Sequence, residues 1–329
     1  MVKEALYPLT FHPIFKDKIW GGDKIHSVLG KEYPGLSNCG ETWEISAVEG
    51  NVSIVSSGPL AGKDLRNLID EYGAALLGGR ILAKYGKNFP LLVKFISAAD
   101  DLSIQVHPGD EMAQRDHGSY GKTEMWYVLD ADPGARLISG FVRPVTREEY
   151  LEYFESGRLE QLLLSVPVEK GDCFFLPPGR VHSIGRGILL AEIQQSSDVT
   201  YRIYDFDRTD ALGHRRELHV EQALRAMDFS ASGDPKTRYR QTDAGAVALV
   251  ECPYFETNLL KTGGRFVRDY SDSGSFVMLT CVEGNGTVVT RGGETTIAKG
   301  QCVLLPAEVA DDVVIVPREY IELLETWAK

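Results

Sequence analysis

Two related β units, each a sandwich or barrel, with only a few helices: this is the fold class the sequence predicts, on three observations. Short apolar runs separated by Gly, Pro, Asn and Asp outnumber helical patterns along the chain. The segment Lys170-Gly-Asp-Cys-Phe-Phe-Leu-Pro177 returns as Lys299-Gly-Gln-Cys-Val-Leu-Leu-Pro306, each copy a Gly turn, a short apolar strand and a terminating proline. The 329 residues are about twice the usual domain length, and a polar, breaker-rich linker over 230–245 divides residues 1–229 from 246–329.

Three helical patterns stand out. Leu65, Leu68, Ile69, Tyr72 and Leu76 follow Asp64, a good N-cap, at helical spacing, and Gly78-Gly79 closes the run. A second helix starts in the capping-box pattern Thr146-Arg-Glu-Glu149 and carries Tyr150, Leu151, Phe154, Leu162 and Leu163. A third covers roughly 220–227. Strands are expected over 91–96, 102–107, 125–129, 173–176, 188–194, 276–282 and 286–290, with Glu283-Gly-Asn-Gly286 as a hairpin turn between the last two.

A chain with 43% hydrophobic and 25% charged residues is not globally disordered. No apolar run approaches the ~18 residues that span a bilayer, and Met1-Val-Lys-Glu-Ala-Leu6 lacks the apolar stretch of a secretory signal. Five cysteines without a CxxC argue against a disulfide framework or zinc ribbon, so reduced thiols and a cytoplasmic location are expected. The formal charge, 35 − 47 = −12, disfavours nucleic acid and anionic membranes as partners. A small anionic substrate in a locally basic pocket is compatible with it. A monomer or weak homodimer is expected.

The residues that carry chemistry lie in the first unit. Along 102–107, Leu102, Ile104 and Val106 face one side while Ser103, Gln105 and His107 face the other. Gln105 and His107 therefore point the same way, about 7 Å apart. Glu124 opens the next strand with Lys122 two residues before it, and His182 follows the proline-rigid turn Leu176-Pro-Pro-Gly-Arg-Val. His107, Glu124 and His182 form an N/O donor set suited to a divalent transition ion, zinc first, and leave room for water or substrate. Gln105 is a weaker neutral ligand or an outer hydrogen-bonding partner. From spacing alone, the metal site competes on even terms with ordinary hydrogen-bonded rim residues.

Several other residues carry two readings. Lys94 is the one charge inside an apolar strand, either paired internally with a carboxylate or touching substrate. Asp198 and Arg202, four apart, read by spacing as a surface ion pair. His214 and His219, beside two arginines, read as a solvated turn leading into a helix. Trp20, Trp43 and Trp126 read as core residues before sugar-pocket residues. The repeat register places Asp311 where the first copy has His182, and no histidine follows His219, so the second unit is expected to hold no metal.

Leu102-Ser-Ile-Gln-Val-His-Pro108, Gly121-Lys-Thr-Glu124 and Pro177-Pro-Gly-Arg-Val-His-Ser183 together resemble the type I mannose-6-phosphate isomerases of the cupin superfamily. Ile19-Trp-Gly-Gly22, Gly40-Glu-Thr-Trp-Glu-Ile-Ser46, Ser197-Asp-Val-Thr-Tyr-Arg202 and Tyr204-Asp-Phe-Asp-Arg208 fit the same family. His182 follows Glu124 by only 58 positions, which resembles the short bacterial form rather than members with a long helical insertion. The resemblance implies two cupin-type barrels (double-stranded β-helix, jelly-roll) with a few peripheral helices. Residues 1–229 would form the catalytic barrel and 246–329 a degenerate second barrel without a metal site.

It further implies zinc-dependent interconversion of mannose 6-phosphate and fructose 6-phosphate through an enediol or enediolate. One zinc per chain would sit on His107, Glu124, His182 and Gln105. Arg202, Lys122 and Asp198 would be catalytic, with Lys94 and Arg202 on the substrate, a small phosphorylated sugar. The competing readings are a cupin-type glucose-6-phosphate isomerase and a non-catalytic cupin that binds a sugar phosphate.

Overall fold

The computed structural model describes residues 3–209 and 212–329. Three large antiparallel sheets make up most of it, with short helices at their margins. The first sheet has the strand order Ile14–Asp17, Cys39–Ile45, Leu91–Ser97, Ile188–Gln195, Glu124–Ala131, Cys173–Leu176. The second runs Tyr201–Tyr204, Ile104–Val106, His182–Ser183, Arg136–Phe141, Leu163–Pro167. The third lies C-terminal to both. It is built around the long strands Val277–Thr290 and Val313–Ala328, flanked by Gly245–Glu251, Phe255–Thr262 and Gly293–Ala298.

The pleat decides what each face does. On the six-stranded sheet, Val93, Phe95, Met125, Tyr127, Ala191 and Ile193 point outward. They join one apolar core with Leu65, Leu68 and Ile81 of the helices and with Phe255, Leu259, Met278, Leu304 and Leu324 of the third sheet. The inner face meets the five-stranded sheet. There Ile96, Val128, Phe174, Leu176 and Leu190 pack against Leu102, Leu137, Val166 and Ile184. The outer face of the five-stranded sheet is covered by the helices Arg147–Glu155 and Val220–Ala226 through Tyr150, Ala223 and Leu224. One contact joins distant parts of the chain: Leu9 and Leu304 exchange both backbone hydrogen bonds, each 2.8 Å.

Most expected elements are present, with instructive differences. The helical run after Asp64 splits into Leu65–Tyr72 and Ala74–Leu77, because Gly73 adopts φ 52° and breaks it, and a further helix, Gly79–Tyr85, follows where the run was expected to close. The second helix stops at Glu155, and Leu162 and Leu163 belong to a 3-10 turn and a strand instead. Helix Asp110–His117 had no expectation, because only Ala113 on it is buried and no apolar stripe marks it. The hairpin expected at Glu283–Gly286 is absent. Val277–Thr290 is one continuous strand that follows Val313–Ala328 through two bulges. Gly284, at φ 74°, lies so near that partner that a Cβ would sit 2.0 Å from the Tyr320 oxygen. The glycines there serve close backbone approach rather than chain reversal.

The two repeat copies do take the same form. Cys173–Leu176 and Cys302–Leu305 are four-residue strands, each led in by a glycine with φ above 80°. Their lysines, Lys170 and Lys299, meet on one carboxylate, Glu283.

Candidate metal centre and active site

Two cross-strand rows build the site on the facing inner surfaces of the first two sheets. On the six-stranded sheet, Trp43, Lys94, Glu192 and Trp126 lie side by side, with Gln194 and Glu124 one step along. On the five-stranded sheet the row is Arg202, Gln105, His182 and Ser139. His107, one residue past its strand, keeps the alternation of Gln105 and reaches the same place. His107, Glu124 and His182 are all buried, and one donor atom of each falls within 4.8 Å of the others. Among the described residues no other His, Cys, Asp or Glu group converges in this way. Asp311, the counterpart of His182, instead pairs with Arg291 at 3.3 Å.

The donor set fits a divalent ion. Nδ1 of His107 lies 2.9 Å from the Val199 carbonyl oxygen, and Nδ1 of His182 lies 2.8 Å from that of Arg180. Each ring therefore donates its Nδ1–H outward and turns the Nε2 lone pair toward Glu124. The Glu124 oxygens stand 3.4 Å from His107 Nε2 and 3.5 Å from His182 Nε2, buried and without a hydrogen bond. Lys122 lies beside them, with Nζ 2.6 Å from Glu124 Oε1 and 3.1 Å from His107 Nε2. The first of these is a close contact between opposite charges.

Burial, reinforced by the Lys122 charge, pushes the His107 imidazole down to about 3, and burial likewise lowers His182. Burial alone would raise the Glu124 carboxyl, but Lys122 and the two histidines hold it well below the usual range. Two neutral imidazoles and one carboxylate are the protonation states that metal binding needs. The Gln105 amide is 3.4 Å from His182 Nε2, within reach of the same centre. Trp126 packs its edge against the His182 ring at 5.3 Å and 80°.

A cavity of about 140 Å³ opens beside this centre, with Gln105 and Lys122 in its wall. Five cations line it (Lys18, Lys94, Lys122, Arg202 and Arg216) against three carboxylates (Glu41, Glu192 and Asp198). The balance is positive in a chain whose formal charge is −12, which suits an anionic ligand. The larger clefts elsewhere on the surface contain neither Gln105 nor Lys122, the residues that join this cavity to the triad.

Of the residues singled out from sequence, Lys94, Gln105, Lys122, Asp198 and Arg202 all line this cavity. Lys94 fulfils its internal reading as well, since Nζ is 2.8 Å from Glu192 and 2.6 Å from the Gln194 amide oxygen. Burial works against that ammonium, yet Glu192 and Glu41 raise its affinity for the proton. Asp198 and Arg202 are not an ion pair among the described residues. Arg202 instead gives Nη1 to the Glu217 carbonyl at 2.9 Å, and its Nε is buried without a partner. His219 leads directly into the helix Val220–Ala226, as expected, and its Nδ1 also accepts the Arg202 backbone N–H at 3.2 Å.

Sequence reasoning missed Glu192, Glu41, Lys18 and Arg216. A signal existed for Glu192, which lies two residues from Gln194 in an otherwise apolar strand, the same signature that marked Gln105 and His107. Lys94→Met is expected to cost about 3–5 kcal/mol of stability, because it leaves the buried Glu192 carboxylate uncompensated. Urea unfolding would measure it, and the Lys94→Met/Glu192→Met double variant should recover much of the loss. A single variant as stable as wild type would show that Glu192 does not need this partner.

The sequence pattern described as phosphomannose isomerase type I, catalytic domain, matches residues 9–132. Mannose-6-phosphate isomerase ManA of Bacillus subtilis is 36% identical over 302 residues, covering 91% of this chain and 93% of that protein. Mannose-6-phosphate isomerase of Streptococcus mutans is 34% identical over 91% of this chain and 92% of its own length. The crystal structure of mannose 6-phosphate isomerase from Bacillus subtilis superposes with a TM-score of 0.86 at 32% identity, covering 97% of this chain and 99% of that one. Relatives this similar, aligned over nine-tenths of both partners, place the chain in the type I phosphomannose isomerase family.

Proposed function

We propose that the chain is a zinc-dependent isomerase that interconverts mannose 6-phosphate and fructose 6-phosphate through an enediol or enediolate. The carrying observation is the buried triad His107, Glu124 and His182, with both Nε2 atoms and the unbonded Glu124 oxygens turned inward beside a cation-rich cavity. These three residues would hold the ion, with Gln105 as a fourth, neutral ligand. A divalent ion there supplies Lewis acidity toward the sugar's oxygens without changing redox state.

The chain's own residues do the rest. Moving a proton between C2 and C1 places negative charge on the adjacent oxygen, and Arg202, on the strand beside Gln105, is assigned to stabilise it. Lys122 lines the cavity and touches the triad, so it is assigned to hold or move the proton on the reacting oxygens. Asp198 orients the substrate or relays a proton at the cavity wall. Lys94 positions the sugar from the opposite sheet. The facing walls exclude bulk water, which strengthens each of these interactions.

In the same reading, residues 1–229 form the catalytic cupin barrel, 230–245 a linker, and 246–329 a second barrel without a metal. That second unit carries the Arg268–Glu325 ion pair, with Tyr270 on the same carboxylate.

Two measurements test this. Stripping the protein with a chelator should abolish isomerisation of mannose 6-phosphate, and zinc should restore it. Full turnover in the stripped protein would sink the metal assignment. Metal analysis should give one ion per chain, and a second zinc bound within residues 246–329 would overturn the asymmetry between the units.

A further inference from the structure

We infer that Arg216, held by Asp205, is the guanidinium that grips the phosphate group of the substrate, leaving Arg202 for the reacting end. This rests on the isomerase reading above and assigns its anionic subsite.

Asp205 is buried immediately after the strand Tyr201–Tyr204 and receives two arginines. Arg216 donates Nε to Oδ2 at 2.7 Å and Nη2 to Oδ1, a bidentate fork, while Arg208 donates Nη2 at 2.7 Å. Arg208 also reaches Asp100 at 3.4 Å, so its charge is shared between two carboxylates, while among the described residues Arg216 is held by Asp205 alone. Arg216 also lines the cavity. With Nε and Nη2 committed to Asp205, Nη1 is the nitrogen left for a ligand.

The backbone supports this arrangement at a cost. Phe206 and Asp207 adopt φ 54° and 55°, the only non-glycine residues with positive φ among those described. Consecutive left-handed residues with side chains persist where the surroundings over-determine them. Here the Asp205 fork and the Arg208 side chain over the Phe206 ring, at 5.2 Å, do so.

Position separates the roles of the two arginines. Arg202 pairs directly across the sheet with Gln105, which touches His182, so it lies on the row of the metal centre. Asp205 lies three residues further along, past a bulge and the strand's end, at most about 10 Å away at the ~3.3 Å rise of a strand. A hexose phosphate has its reacting carbons at one end and its dianion at the other, and this separation matches that division. Two like-charged guanidiniums facing one cavity repel each other, and a phosphate dianion there relieves the repulsion.

The test compares wild type with Arg216→Met, Arg216→Lys and Asp205→Asn by titration calorimetry with inorganic phosphate and by steady-state kinetics. Arg216→Met is expected to weaken phosphate binding and to raise KM for mannose 6-phosphate by about 10–100-fold, with kcat within about threefold, as loss of uniform binding requires. Asp205→Asn should shift KM in the same direction by less, since it removes only the anchor. Arg216→Lys keeps charge but loses the fork, so it should fall between them and covers failure of the Met variant to fold. Unchanged phosphate affinity and KM in folded Arg216→Met or Arg216→Lys would overturn the assignment. If wild type binds phosphate through Arg216 but does not isomerise mannose 6-phosphate, the subsite stands and the reaction assignment falls.

Discussion

His107→Ala or His182→Ala is expected to eliminate tight metal binding and to lower isomerase turnover by more than ~10³-fold, beyond the ~10²–10³ worth of a single oxyanion donor. In the proposed site each histidine would supply one of three strong donors, and Glu124 with the remaining imidazole and the neutral Gln105 amide would be a poor substitute. The fold should survive. Glu124 keeps Lys122 at 2.6 Å as its compensating charge, and of the apolar cluster between the sheets it is Trp126 that loses a contact, in the His182 variant. Metal content, isomerase rate and far-UV circular dichroism on the same preparation separate these effects. A variant that retains one zinc per chain and normal turnover would remove that residue from the ligand set.

Arg202→Lys is expected to lower kcat by on the order of 10²-fold while KM changes little. The native side chain uses one nitrogen to hold the Glu217 carbonyl and keeps Nε buried without a partner, so it is oriented before substrate arrives. Burial and the nearby Arg216 charge lower the proton affinity of this guanidinium, though not enough to matter for its charge at neutral pH. Lysine retains a positive charge but has one nitrogen. It cannot hold Glu217 and also present a planar pair of donors to the developing oxyanion. If Arg202 only gripped the ground state, KM would rise with kcat unchanged. Wild-type values for both constants would place Arg202 outside the reaction.

How much of this was legible in the sequence follows from what each residue depends on. His107 and Gln105 were readable because strand alternation is local: two polar residues at a spacing of two in an apolar run must share a face. Glu192 and Gln194 carry the same mark. Lys122 and Glu124 were readable from their own short segment. Arg216 was not, because its role depends on Asp205, eleven residues earlier, and its neighbours His214 and Arg215 give the segment a solvated look. The continuous strand across Glu283–Gly286 was hidden for a similar reason. A glycine needed for close approach to Tyr320 and one needed for a turn look alike until the partner strand is known. Likewise, the internal pairing of Lys94 was one of two open readings until Glu192 lay opposite it.

The mutual hydrogen bonds of Leu9 and Leu304 have a consequence for synthesis. A segment made among the first residues is completed by a strand made among the last, so its pairing must wait until nearly the whole chain has left the ribosome. The outer face of the six-stranded sheet waits with it, since part of its cover comes from Phe255, Leu259, Met278 and Leu324. Non-local pairing of this kind folds slowly and leaves apolar surface uncovered in the interval. Expression at lower temperature or with chaperones present is therefore where soluble yield should respond most, and truncation before residue 304 should give aggregate rather than a smaller active enzyme.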